Sequence, residues 1–525
     1  MNNKPLLKIA AIIFFLHFAM RSVAQNAIYR YTAESVNLKR LINQVERNPN
    51  NLKFNEDYVA ANGFNQKLVD KYSALMKRFP KSAILPFIIG REYENNQDST
   101  YEKYLLKAVL LDSTLTPAWE LLSFGAQALG NTKLAIKYMQ HAVIAAPRNA
   151  NDAFLYAAMH QDIDPVLFDS LMLKVVYHFH DTEKGAQALS LLASYNYNNN
   201  EKKAYYEELY NLYSTTEYAW FRAGMKDYYN YLINIDPDEA FHLALKMTLK
   251  IKTNRGDWVQ KLNVARGFIE AKKMLASNRP GEALAALNNI KLGNSEKIGL
   301  MIDAEETLAI LKSEAINACD GPATAFKNIE DYYAKYPSGR LRENLLKYGA
   351  QMRLDSGEVD LSVTRFRDSL AWKPTDFTLE NYADNQNVSL SDYRGKIVLL
   401  TYWSPSCGPC RAEFPHLEAV LKKINSNNVV YLAINGLTQE EPNVMPLVKS
   451  RGYSFIPLKD DRNKSKGNLP TVTSLPSNFL FDQNGRVVFS KFQINDSNEK
   501  TLELMITELL KNKSVSKAEN VLSAN

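Results

Sequence analysis

From about Asn26 to Ala371, apolar residues recur three and four positions apart, and strand-like alternation is scarce. This spacing predicts helix after helix joined by short turns. At Pro374 the pattern changes. "KIVLLTYW" from Lys396 and "NVVYLAING" from Asn428 are continuous apolar runs of buried-strand length, and "SNFLFDQNGRVVFSKF" reads as two strands joined at an Asn484-Gly485 turn. Helical spacing returns in "GPCRAEFPHLEAVLKKIN", "EEPNVMPLVKSRG" and "SNEKTLELMITELLKN". Strands alternating with helices predict a central sheet with helices on its faces. The chain is therefore expected to be multidomain: a helical region over 25–371, an α/β domain over 372–513 and a polar tail over 514–525.

The helical part carries a repeat. "PAWELLSFGAQALGNTKLAIKYMQHAVIAAP" resembles a tetratricopeptide helix pair, with Trp119, Leu122, Gly130, Ala135, Met139, Ala142 and Pro147 at that family's offsets. Ser123 and Ala126 depart from it. Gly90, Tyr93 and Ala108 stand nearly in register one repeat earlier. "RPGEALAALNNIKLG" and "GPATAFKNIEDYYAKYPSGRLRENLLKYGAQ" resemble second helices of further units. The expected architecture is a tetratricopeptide-like α-helical array, a superhelix that binds partners. The tyrosines between Tyr195 and Tyr218 are expected to pack between helices rather than line a groove. His178 and His180, two residues apart, do not share a helix face and are a poor metal pair.

Composition adds location. The formal charge is +6 over 525 residues. Three of those charges lie in 1–24, and from Pro374 onward 17 basic residues meet 16 acidic ones. Neither part has the basic stripe of a nucleic-acid binder. Lys4 and Lys8, the apolar "IAAIIFFLHFAM" and Ser22-Val23-Ala24 read as a signal peptide over 1–24 with a small-residue cleavage site. The expected location is the periplasm or cell envelope.

Export makes the cysteines informative. Cys319, in "EAINACDGPATAF", is expected to be a buried small hydrophobe. Cys407 and Cys410 are spaced C-x-x-C where a strand ends and a helix begins, and Pro409 suits the helix's first turn. Free N–H groups and the helix dipole favour a thiolate at Cys407. Cys410, one turn later, can then resolve a mixed disulfide. A structural zinc site needs four ligands, but the only other cysteine is Cys319, in the helical region, and His416 is the only histidine after His242. An inert bridge closing so short a loop adds little stability.

The stretch "PTDFTLENYADNQNVSLSDYRGKIVLLTYWSPSCGPCRAEFPHLE" resembles thioredoxin-like thiol–disulfide oxidoreductases of the TlpA/ResA type, over roughly Pro374 to Lys511. Phe377-Thr378-Leu379, "LSDYRGKIVLL", Trp403, the CGPC motif, Pro415 and "SLPSNFLFDQNGRVV" carry the resemblance. It implies a thioredoxin-like fold, a Cys407–Cys410 disulfide in the oxidised state, and a cis-proline at Pro476. Trp403, Gly408, Pro409 and Pro476 would shape the site. It also implies disulfide-bearing exported proteins as substrates, a membrane thiol partner as electron donor, and no metal or organic cofactor. Gly408-Pro409 matches reducing thioredoxins. Two departures stand out: Thr401 where thioredoxins keep a buried acid, and Ser406 where relatives often have an aromatic residue. They leave the proton-transfer group for Cys410 unassigned. Two other readings remain: a helical-repeat scaffold with a docking thioredoxin-like domain, and a thiol peroxidase in which Ser404 stands three residues before Cys407.

Overall fold

A computed structural model describes residues 38–522 apart from 97, 129–130, 162, 196–198, 251–254, 293–302, 406, 438–440, 461–468, 470–474 and 496–497. The expected signal peptide, Gly130 and Ser406 lie outside the described residues. The chain divides into two compact units. One comprises the chain up to Ala188 with Ser404–Ala412 and Leu437–Tyr453. The other comprises Leu189–Trp403, Glu413–Gly436 and the chain from Ser454.

The first unit is built from helices α1 (Leu38–Arg47), α2 (Leu52–Asn62), α3 (Gln66–Arg78), α4 (Ile84–Asn95), α5 (Tyr101–Leu111), α6 (Thr116–Ala128), α7 (Thr132–Ala145), α8 (Ala150–Ala158) and α9 (Pro165–His178), and α10 (Glu183–Tyr195) starts in it. Local sequence sets the starts. Asn51, Asn65, Asn131, Asn149 and Asp164 each cap a helix by accepting a backbone N–H in the following turn. Helix α5 packs closely on α4 and on α6 because small residues let it. A Cβ on Gly90 would meet Leu105, and one on Gly125 would overlap the Tyr101 ring. Ala108, Leu122, Ala135, Met139 and Ala142 are buried.

In the second unit the helices continue: α11 (Asn199–Tyr213), α12 (Ala219–Ile235), α13 (Pro237–Lys250), α14 (Arg255–Ala276), α15 (Pro280–Asn288), α16 (Asp303–Asp320), α17 (Pro322–Lys335), α18 (Gly339–Gln351) and α19 (Ser356–Leu370). Asp355 and Glu358 form a reciprocal capping box at the start of α19. The tyrosine cluster is partly packed: Tyr206 is buried and stacks on Tyr228 with ring centres 4.9 Å apart. Tyr210 is half-buried beneath Lys246 and Lys250.

After Trp372 bridges to Val487, the chain makes a short antiparallel pair, β1 (Thr378–Glu380) with β2 (Asn387–Ser389). A five-stranded sheet follows, from β3 (Ile397–Trp403), β4 (Val429–Asn435), β5 (Ile456–Lys459), β6 (Ser477–Phe481) and β7 (Val487–Phe492). Its order is β5-β4-β3-β6-β7, with β3, β4 and β5 parallel and β6 and β7 antiparallel. Every residue of central β3 is buried, which explains its uninterrupted apolar run. Helices α20 (Gly408–Ile424), α21 (Glu441–Arg451) and α22 (Glu499–Leu522) complete the strand–helix alternation. Helix α22 takes in most of the segment read as a polar tail. The fold is a helical array followed by a thioredoxin-like α/β domain.

Cys319 corrects its expectation: it is exposed. Helix α16 ends one residue later, the chain turns at Gly321 with φ 84°, and Ala318, Cys319 and Asp320 all face solvent. The apolar spacing that buries Leu311 and Ala315 stops short of the last turn.

Candidate active site

Strand β3 delivers the chain to the site and ends at Trp403. The Cys407 N–H donates to the Ser404 carbonyl at 3.0 Å, closing a tight turn. Helix α20 then begins at Gly408, which makes Cys407 its capping residue. The Cys410 N–H points at Cys407 Sγ at 3.2 Å, and the Arg411 N–H donates to the Cys407 carbonyl at 3.1 Å. Cys407 and Cys410 are joined by a disulfide, with their Cα atoms 5.3 Å apart. Cys407 is half-buried and Cys410 buried, so an incoming disulfide can reach only the first sulfur of the reduced pair. In that state the Cys410 N–H and the helix dipole favour the Cys407 thiolate.

The remaining predicted residues sit as follows. Pro409 lies in the first turn of α20, where its missing N–H leaves no helical bond unmade. Gly408 opens the helix and is buried. Trp403 is buried against Phe414 and Phe455, with ring centres 5.1 and 5.4 Å away, and its carbonyl accepts from the Gly436 N–H at 2.7 Å. The Leu475–Pro476 peptide is cis and leads into β6.

Glu413 was not singled out by the sequence. It lies one helical turn after Cys410 on α20 and is buried. Its Oε1 accepts from Asn478 Nδ2 at 2.8 Å and from the Ile494 N–H at 2.5 Å, while Oε2 is buried without a partner among the described residues. Burial pushes its carboxyl up to about 8, against the pull of the Asn478 amide and the Ile494 N–H. Thr401 belongs to the same cluster. It stands directly opposite Asn478 across the β3–β6 pair and donates to Asn478 Oδ1 at 2.6 Å. Thr401 is thus joined through Asn478 to the buried carboxyl of Glu413.

Arg411 is a buried cation next to Cys410. Its Nη2 donates to the Gln127 carbonyl of α6 at 3.0 Å, within the first unit. Burial and the nearby charge of Arg451 push it down to about 10, partly offset by Tyr453. Among the described residues, no group of three or more His, Cys, Asp or Glu is placed to hold a metal ion.

Residues 373–490 match the AhpC/TSA family model. This region is thioredoxin-like. Over 112 residues the chain is 33% identical to the thiol-disulfide oxidoreductase ResA of Bacillus subtilis (strain 168), covering 21% of this chain and 61% of that protein. ResA of Geobacillus thermodenitrificans (strain NG80-2) is 34% identical over 112 residues, covering 21% of this chain and 63% of its own. The chain thus spans about three fifths of the length of these curated relatives. Among solved structures, StoA of Bacillus subtilis is similar at a TM-score of 0.21 and 21% identity, over 25% of this chain and 98% of that one.

Proposed function

We propose that this protein is an exported thiol–disulfide oxidoreductase that reduces or exchanges disulfides of other envelope proteins. The observation that carries this reading is Cys407 at the cap of α20, bridged to Cys410 and facing that residue's N–H. In the reductive direction, the Cys407 thiolate attacks a substrate disulfide and expels one substrate thiolate. Cys410 passes its proton to the Glu413 carboxylate and attacks Cys407 Sγ. The second substrate thiolate leaves, and the Cys407–Cys410 disulfide remains. Two electrons have moved from the dithiol to the substrate, and a membrane thiol partner would restore them. Trp403, Gly408, Pro409 and Pro476 shape the approach, and the helical array serves to hold the partner protein.

Dithiol-dependent reduction of insulin tests the chemistry: Cys407→Ser abolishes it, and indistinguishable rates would sink the reading. Cys410→Ala should accumulate mixed disulfides whose partners identify the substrates. If Cys407→Ser instead left partner capture and cellular function intact, the array would be the working part. Ser404, three residues before Cys407, supports one second reading, a thiol peroxidase. Peroxide consumption that depends on Cys407, without insulin reduction, would select it. Processing near Ala24 in an exporting cell tests the location.

A further inference from the structure

The second helices of five successive pairs, α5, α7, α9, α11 and α13, share an unusual feature. Each has a large apolar residue at its penultimate position: Leu110, Ile144, Tyr177, Leu212 and Leu249. Successive members stand 34, 33, 35 and 37 residues apart, the period of the helix pairs themselves. They are 86, 67, 77, 46 and 74% exposed. Packing within the array would have buried them. A helix end facing only water would carry polar residues, as α3 does with Lys77. Single surface leucines are ordinary, but an apolar residue recurring at one exposed repeat position marks a contact surface.

Leu110, Ile144 and Tyr177 lie in the first unit, and the helix stripes they end are basic. Lys103 and Lys107 stand seven and three residues before Leu110, with Leu106 exposed between them. Lys133 and Lys137 precede Ile144 by eleven and seven, and α7 contains no acidic residue. Lys174 precedes Tyr177 by three. These spacings put the ammonium groups on the same stripes as the apolar tips. Over α5, α7 and α9, five lysines face two acids, Glu102 and Asp169, for a net charge of +3.

We propose that this face docks on an anionic lipid surface, with Leu110, Ile144 and Tyr177 entering the interface and the lysines meeting headgroup phosphates. Alternating lysine and apolar side chains suit that boundary, where each apolar tip inserts and each charge meets a fixed anion. A second copy of the chain would bring like charge against like charge. A protein partner would need pockets at the repeat spacing, whereas lipid accepts separate side chains without preformed cavities.

The test is co-sedimentation of the full chain with vesicles of phosphatidylglycerol and phosphatidylcholine, and of phosphatidylcholine alone. The expected result is binding to the anionic vesicles that weakens as salt rises. Leu110→Ser, Ile144→Ser and Tyr177→Ser together should lower partitioning about tenfold or more. Lys103→Glu, Lys107→Glu and Lys137→Glu together should abolish the preference for anionic lipid. Both variants keep the thermal midpoint, because the changed side chains are exposed, and both share the wild-type N-terminus. Partitioning unchanged in the variants, or equal on neutral vesicles and insensitive to salt, overturns the proposal. So does a wild type that ignores vesicles but binds polyglutamate, or that forms dimers which the serine variant dissociates.

Discussion

Asn478 links two residues that its sequence position does not suggest belong together: it donates to Glu413 at 2.8 Å and accepts from Thr401 at 2.6 Å. The register of β6 against β3 sets Asn478 opposite Thr401, and α20 places Glu413 above that pair. The result is a buried carboxyl one helical turn after Cys410, with one oxygen hydrogen-bonded and the other buried without a partner among the described residues.

The first prediction concerns the rate against pH. In the proposed reaction Glu413 takes the Cys410 proton only when ionised, and burial pushes its carboxyl up to about 8. Wild-type turnover should therefore climb as pH rises toward 8 and then level off. In Glu413→Gln that limb should disappear, and turnover at pH 8.5 should fall about a hundredfold. Insulin reduction followed from pH 6 to 9.5 measures both, and a parallel profile in the variant would refute the assignment.

Stability should carry the same signature with a definite sign. Glu413 has a raised pKa in the folded chain, so between its ordinary 4.5 and about 8 the folded state holds a proton that the unfolded state has released. Stability from this group is full below the lower value and is lost as pH rises through the window, by about 1.4 kcal/mol per pH unit. Glu120 in the helical array is pushed up in the same way, to about 8, so the useful quantity is a difference. The thermal midpoint of Glu413→Gln minus that of wild type should increase from pH 5 to pH 8.

Asn478 serves three partners at once, because its amide also donates to the Phe492 carbonyl at 2.9 Å. In Asn478→Ala the Thr401 hydroxyl and the Phe492 carbonyl lose their Asn478 partner in a closed sheet interior. Denaturant unfolding should show a loss of about 2–4 kcal/mol. A loss below about 0.5 kcal/mol would mean that water has entered the sheet and replaced the amide.

The change from helices to strands was legible because apolar periodicity switches abruptly near Pro374, and β3 is buried over its whole length. The C-x-x-C pair was legible from its spacing at a strand–helix junction, and the proline before β6 only through the family resemblance. Glu413 was not, since its environment is made by Asn478, 65 residues on, and by the Ile494 N–H, 81 residues on. Spacing along one helix shows that a carboxylate follows a cysteine but not that a strand pair will close over it. Cys319 failed for the opposite reason: its spacing fits the buried face of α16, but that face ends before the helix does.

Arg411 makes a prediction with an unexpected sign. A buried guanidinium that donates to the Gln127 carbonyl, with Arg451 nearby, is held at a cost in solvation. Arg411→Met keeps much of the volume and removes the charge. The thermal midpoint should hold or rise, corresponding to about 0–2 kcal/mol of added stability. A clear drop would show that the bond to Gln127 outweighs the desolvation of the charge.

The second unit contains the converse case, a buried cation with its counter-charge in place. Arg367 on α19 is buried, its Nε donates to the Ala334 carbonyl at 3.2 Å, and its Nη2 lies 2.6 Å from Glu508 Oε2 on α22. That contact is a close ion pair off hydrogen-bond alignment, and the Tyr333 hydroxyl donates to the other Glu508 oxygen. Removing one member leaves a buried charge unmatched. Glu508→Leu should therefore cost about 3–5 kcal/mol in denaturant unfolding, while adding Arg367→Met should recover most of that loss. A chain cut at residue 371 loses Arg367 and Tyr333 together, so residues 372–525 alone should melt at a lower temperature than the same region in the full chain. Equal midpoints would show that α22 does not depend on the last helices of the array.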